Sequence, residues 1–317
     1  MLRLSFIVPF YNVEPYIEEC IRSLYAQDIP WEEYEVICVD DCSPDGSRAI
    51  VERLQKEYPT LKLLTTPENL RQGGARNMAL DVAMGRYICF VDSDDMLASQ
   101  YIGSILSLIE KEDLDIYDFD FKIDEGRNMM QKNIVEYSMG ICTGTEYVFD
   151  SRSNWANKCC CVCAMVIRKG LIDEYNLRFE EKVQYEDTDF AIKMFAVARR
   201  VRHVSEQAYF YRYDFNSTTH AGTNKSNLIY RVKATRRLIC LFNMITITQW
   251  QTAIRELIKN DIYDLLHVLR NTSLTNQLFF YWSRLGYIPA IKSFTGKRNL
   301  LALRSWVMLH ILYKKNR

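Results

Sequence analysis

The first hundred residues alternate four times between a short apolar run and a stretch with helical spacing. The runs are "LSFIV" (4–8), "YEVICV" (34–39), "LKLLT" (61–65) and "YICFV" (87–91). Between them, Ile17, Cys20, Ile21 and Leu24 recur at i, i+3, i+4 and i+7. Ile50, Val51 and Leu54, and then Ala75, Met78, Ala79 and Val82, follow the same period. Pro15 suits a first helical turn, and Ser47 suits the cap of the second helix. Strand–helix repetition of this kind predicts a parallel sheet with helices on both faces, because parallel strands need a crossover between them. Strands covered on both faces read as nearly continuous apolar runs, as these do.

In open parallel sheets, ligands bind beyond the carboxyl ends of the strands. Those ends carry "PFYN" after the first run, "DDCSPDGS" after the second and "DSDD" after the fourth, and the topology predicts all three on one edge. Asp92, Asp94 and Asp95 crowd three carboxylates into four positions, where each raises its neighbours' pKa unless a cation intervenes. Two carboxylates separated by one residue are the hard oxygen donors that Mg2+ or Mn2+ takes, completed by substrate phosphates. The same residues would also suit a solvated turn, with Asp95 capping the helix that follows.

The second half predicts α+β structure: a helix over 99–111, a strand at "DIYDFDF" (115–121), a short helix over 143–149, a helix over 186–198 and a strand over 208–214. "CCCVCAMVI" holds a C-x-x-C, but no second ligand pair follows at zinc-site spacing. Adjacent strand residues point to opposite faces, so a core strand is the expectation there. Charge marks a boundary near 219–227. Residues 1–224 hold 24 Lys and Arg against 37 Asp and Glu, and residues 225–317 hold 16 against 3. The basic end is helical in pattern and aromatic, which suits either an anionic membrane surface or packing against an acidic domain. No nucleic-acid module surrounds those charges. The N-terminus does not read as a signal peptide, no run is long enough to span a bilayer, and ten cysteines without an export signal fit a cytoplasmic protein.

"VPFYN", "VDDCSPDGS", "ENLRQGGARNMAL" and "FVDSDD", in this order, closely resemble the bacterial family 2 glycosyltransferases of the GT-A fold, as do "YEDTDF" and "YRYDFNSTT" further on. The resemblance covers about 1–220. It implies a Rossmann-like, mostly parallel α/β sheet with a nucleotide-binding half over about 1–98 and an acceptor-side half over about 99–224, followed by the basic C-terminal helical region of 225–317. It implies that Pro9 and Tyr11 pack on base and ribose, that Asp40 and Asp41 contact base and ribose, and that Arg76 lies near base or phosphates. Gly73 and Gly74 would let backbone approach closely. Asp92 would bind ribose or metal and Asp94 the metal, Mn2+ or Mg2+. Asp187 would be the general base, with Glu186 the alternate. Arg212 and Ser217 would meet phosphate oxygens, and His220 would be a further metal ligand.

The reaction so implied is an inverting transfer of one hexosyl or N-acetylhexosaminyl unit from a nucleotide-diphosphate sugar to a glycan or lipid-linked acceptor of surface polysaccharide. A carboxylate that can accept the uracil N–H favours UDP as the nucleotide. The Q-x-x-R-W element of processive relatives is absent from the sequence, which favours one sugar per encounter. The implied location is cytoplasmic, with peripheral contact at the inner face of the membrane open through 225–317. A non-catalytic nucleotide-sugar-binding protein of the same fold and a D-x-D phosphatase are the rival readings. In the phosphatase, however, the motif follows the first strand rather than the fourth.

Overall fold

The computed structural model of the 317-residue chain describes residues 2–124, 129–130, 139–150 and 161–212, together with positions scattered over 234–258. The chain divides into two compact units, Met1–His220 and Ala221–Arg317. In the second unit the described residues are mostly helical, the longest such run being 248–255, and Trp250, Ile254 and Ile258 are buried. Among the described residues no helix is long and apolar enough to cross a membrane.

The first unit is built on one sheet. Its leading strands are β1 (Leu4–Phe10), β2 (Tyr34–Asp40), β3 (Leu61–Thr65) and β4 (Tyr87–Phe90), each on or beside its apolar run. They pair in parallel in the order β3-β2-β1-β4. Every residue of β1, β2 and β4 is buried, as expected of strands covered on both faces. Burying one such large aliphatic or aromatic side chain contributes roughly 1.5–3 kcal/mol. Helices α1 (Ile17–Tyr25), α2 (Ser47–Leu54) and α3 (Arg71–Val82) are the crossovers. The apolar residues of α1 at the predicted spacing, Ile17, Cys20, Ile21 and Leu24, are all buried.

The chain steps from β1 outward to β3 and then returns to the other side of β1. The β1–β4 junction is therefore a point where strand order reverses, the place where open sheets form a crevice. Beyond β4 the sheet continues. Strand β5 (Met96–Leu97) is followed by α4 (Ile102–Lys111) and β6 (Ile116–Asp124). The short strands β7 (Met129–Met130) and β8 (Met139–Cys142) precede α5 (Gly144–Phe149). Then come β9 (Met165–Arg168), α6 (Lys169–Glu174), α7 (Glu186–Val197) and β10 (Val201–Arg212). Strand β9 is antiparallel to both β4 and β6, and β6 is parallel to β10. Two reversals cancel, so the carboxyl ends of β6 and β10 lie on the same edge as those of β1, β2 and β4. The predicted α+β appendage is an extension of the same sheet.

Three local expectations are corrected. Ser47 does not cap α2. Its hydroxyl accepts the Val13 amide at 3.0 Å and donates to Asp45 at 2.6 Å, joining the loops after β1 and β2. Asp95 does not cap α4, whose first amides are taken by Gln27 Oε1 (Tyr101 and Ile102, both 3.2 Å) and Asp28 Oδ1 (Gly103, 2.7 Å). The expected strand over 159–167 begins at Met165, with Cys163 bridged to Phe90 ahead of it. Cys159 and Cys160 lie outside the described residues. Cys163 is buried, and hydrogen bonding from Cys161 followed by burial raises its thiol pKa well above the ordinary value. Among the described residues no group of three or more His, Cys, Asp or Glu gathers to hold a metal.

Candidate active site

The loops on the carboxyl edge are held in backbone conformations that L-residues seldom adopt. Asn12 after β1, Cys42 after β2, Arg71 at the start of α3 and Tyr185 before α7 have φ of 57, 63, 60 and 60°. None is glycine, so each costs roughly 1–3 kcal/mol, as do five other such residues, Gln100, Asp113, Ala164, Asn176 and Lys182. The four positions flank Tyr11, Asp40–Asp41, the "RQGGAR" segment and Glu186–Asp187.

On the β1–β2 side, Pro9 is buried within β1, paired with Val39, whereas Tyr11 is 49% exposed. An exposed ring beside a crevice offers a face for stacking. Asp40 and Asp41 are both buried. Asp40 Oδ1 accepts the Ser43 amide at 2.8 Å, and its Oδ2 lies 3.5 Å from Arg48. Asp41 Oδ1 accepts the Thr66 hydroxyl at 2.8 Å and the Leu70 amide at 2.7 Å. One oxygen of Asp41 is thus fixed by the loop before α3, which orients the whole carboxylate.

Arg76 lies under the crevice rather than in it, only 3% exposed. Its Nη2 donates to Asp92 Oδ1 at 2.8 Å and its Nη1 to Glu186 Oε1 at 2.7 Å. Its guanidinium sits 5.2 Å from the ring centroid of Phe179, itself stacked on Phe190 at 3.9 Å. The planar fork of arginine suits two carboxylates at once. It joins the acid after β4 to the acid opening α7, residues 94 positions apart in sequence. The adjacent glycines permit this contact. A Cβ on Gly73 would overlap the Glu180 carbonyl oxygen, and one on Gly74 would overlap Leu70. What Gly73 lets approach is the backbone before α7.

Helix α7 opens with Glu186, Asp187 and Asp189 in its first turn, where the positive end of the helix dipole favours acids. Burial, and next the charge of Glu186, push the Asp187 carboxyl up to about 8, with Arg76 pulling the other way. A carboxylate raised to near neutral pH is matched to accepting a proton from a hydroxyl.

The "DSDD" turn is tied down from several sides. Asp95 is 2% exposed; its Oδ2 accepts the Tyr209 hydroxyl at 2.7 Å and its Oδ1 the Arg212 amide at 2.8 Å. Tyr209 Oη accepts the Asp92 amide at 3.1 Å. Arg212 Nε donates to the Asp94 carbonyl at 3.0 Å and its Nη2 to Glu19 at 2.6 Å, with the guanidinium over the Tyr16 ring. Burial first, then the charges of Asp94 and Asp92, raise Asp95 to about 8. Asp92 and Asp94 supply two hard oxygen donors, the share a Mg2+-like ion takes from protein when phosphates and water complete its shell. Ser217 and His220 lie outside the described residues.

The resemblance assigned Arg76 and Asp92 to the donor and Glu186 and Asp187 to the base without relating the two pairs, and in the structure Arg76 joins Asp92 to Glu186. Sequence reasoning missed Tyr209, Phe179 and Thr66. Tyr209 lay in the alternating "AYFYRYD", whose period marks a strand without marking its neighbour.

A mostly parallel sheet, flanked by helices and carrying acidic residues at its switch point, has the GT-A architecture. Residues 5–175, just over half the chain, match the family model for glycosyl transferase family 2, and the chain belongs to that family. It is 33% identical over 223 residues to the uncharacterized glycosyltransferase EpsJ of Bacillus subtilis (strain 168), covering 68% of this chain and 62% of that one. It is 31% identical over 215 residues to the poly(ribitol-phosphate) beta-N-acetylglucosaminyltransferase TarS of Staphylococcus aureus (strain Mu50), covering 67% of this chain and 35% of that one. The matched region is thus under two thirds of either relative. The crystal structure of S. aureus TarS 1–349 in complex with UDP-GlcNAc superposes with a TM-score of 0.68 at 24% identity, covering 92% of this chain and 80% of that one. That likeness is one of fold.

Proposed function

We propose that this chain is a metal-dependent, inverting glycosyltransferase that moves one sugar from a UDP-sugar to a hydroxyl of a glycan or lipid-linked acceptor in surface polysaccharide assembly. Residues 1–224 form the catalytic domain and 225–317 a basic accessory region. The observation that carries this reading is the buried Arg76, which joins the donor-side Asp92 to Glu186, beside a raised Asp187. The TarS relative's name and its UDP-GlcNAc complex support a UDP-sugar donor and a hexosyl or N-acetylhexosaminyl transfer.

In this reading Tyr11 stacks on the base, and Asp40 and Asp41 receive the base N–H and a ribose hydroxyl. Pro9, within β1, keeps the strand end in place below Tyr11. Asp92 and Asp94 hold a divalent cation, Mn2+ or Mg2+, which when bound neutralises charge on the departing diphosphate. Arg212 and Ser217 would meet phosphate oxygens, and His220 would be a further metal ligand. Asp187 accepts the acceptor hydroxyl's proton as that oxygen bonds to the anomeric carbon. The bond from that carbon to the phosphate oxygen breaks with its electron pair, and the nucleoside diphosphate leaves. Attack opposite the leaving group inverts the anomeric centre. Glu186, held by Arg76, keeps the first turn of α7 aimed at the crevice. The accessory region can contact the inner face of the membrane.

The test is calorimetric titration of UDP, GDP, TDP and CDP, with and without Mn2+, against wild type and Asp94→Ala. Mn2+-dependent binding of UDP, lost in Asp94→Ala, is expected. Absence of binding for every nucleotide in every condition would refute a nucleotide-sugar site.

A further inference from the structure

Strand β5 holds only two residues, yet it fixes the "DSDD" turn against a strand from the other end of the domain. It pairs antiparallel with β10, Met96 opposite Phe210 and Leu97 opposite Tyr209. Continuing that register brings Asp95 and Asp94 beside Tyr211 and Arg212. The side chain of Asp95 turns into the protein, not toward the crevice. Both its oxygens are engaged, one by the Tyr209 hydroxyl at 2.7 Å and the other by the Arg212 amide at 2.8 Å. The Tyr209 oxygen accepts the Asp92 amide at 3.1 Å, so one hydroxyl spans two residues of the turn. The Asp95 amide closes the turn onto the Asp92 carbonyl at 3.0 Å.

We propose that Asp95 and Tyr209 are positioning residues that lock the Asp92–Asp94 turn to the end of β10, so that the carboxylates of Asp92 and Asp94 are set in place before ligand arrives. A turn carrying adjacent like charges is pushed apart by them, and bonds to its main chain oppose that push without using the carboxylates of Asp92 or Asp94. A buried carboxyl facing a phenol and an amide, rather than a cation, makes a poor choice for stability alone, because desolvating a polar group is costly. Supporting groups of this kind typically change metal affinity 10–100-fold when removed. For its ligand, the proposal rests on the metal reading given above; the lock itself does not.

Tyr209→Phe removes one hydroxyl and keeps the packed ring, and Asp95→Asn keeps the shape while replacing one of the two engaged oxygens by an NH2 group. Amide hydrogen exchange of the ligand-free chain is the first readout. In Tyr209→Phe, exchange at 92–95 is expected to accelerate about tenfold or more while 87–90 and 4–8 stay unchanged. An unchanged turn, or equal acceleration across β1 and β4, overturns the proposal. The second readout is Mn2+ titration in the presence of UDP, where either variant is expected to weaken Mn2+ binding on the order of tenfold. A loosened turn with wild-type Mn2+ affinity overturns the positioning role. A wild-type chain that takes up no Mn2+ with UDP overturns the metal reading alone, and the exchange experiment then decides the lock by itself.

Discussion

Asp187 and Arg76 carry the residue-scale consequences. If Asp187 is the base, Asp187→Asn keeps UDP affinity by calorimetry and loses transfer by a factor of about 10²–10⁴. Its carboxyl must be ionised to accept a proton, and in the folded chain it is held up to about 8. The logarithm of kcat/KM should therefore rise with unit slope below about pH 8 and level off above it, a profile that steady-state rates across pH 5.5–9 would reveal. Arg76→Met leaves Glu186 buried without its cation. A loss of roughly 3–5 kcal/mol in urea unfolding is expected, with Arg76→Lys intermediate because an ammonium cannot fork to two carboxylates.

At the scale of elements, the approach of α3 to the segment before α7 depends on having no side chain at position 73. Gly73→Ala puts a methyl into the Glu180 carbonyl and should cost about 1–3 kcal/mol, seen as a lower Tm. Gly46→Ala meets only the carboxylate end of the Glu14 side chain, which can swing away, and should cost less in the same measurement. The helices and strands of the first hundred residues were legible because their periods are local: every apolar position predicted for α1 is buried. Helix α3 begins at Arg71, four residues ahead of its apolar pattern, because "RQGG" is polar and small where the helix faces the site. Strand β9 was legible as a strand but not as an antiparallel one. Direction is set by what lies beside it, and residues 165–168 contain no record of that.

For the whole molecule, the acidic 1–224 and the basic 225–317 make a chain of zero formal net charge with strongly unequal parts. If the basic part meets membrane, the full chain should sediment with vesicles containing anionic lipid and not with neutral ones. Binding should be lost as salt rises toward 1 M, where the Debye length is only about 3 Å. Equal sedimentation with both vesicle types, or none with either, would remove the membrane role.

The sequence by itself determined a parallel α/β sheet and an acidic carboxyl edge. It also marked most residues of the candidate site, since runs, periods and short motifs are properties of neighbouring residues. Only the tertiary structure decided that Arg76 bridges Asp92 to Glu186, that β9 reverses so that β6 and β10 join the same edge, and that Asp95 faces Tyr209. Those pairings depend on strand order and register across more than a hundred residues. Register is settled by which packed arrangement of the entire sheet leaves the fewest buried polar groups unmatched.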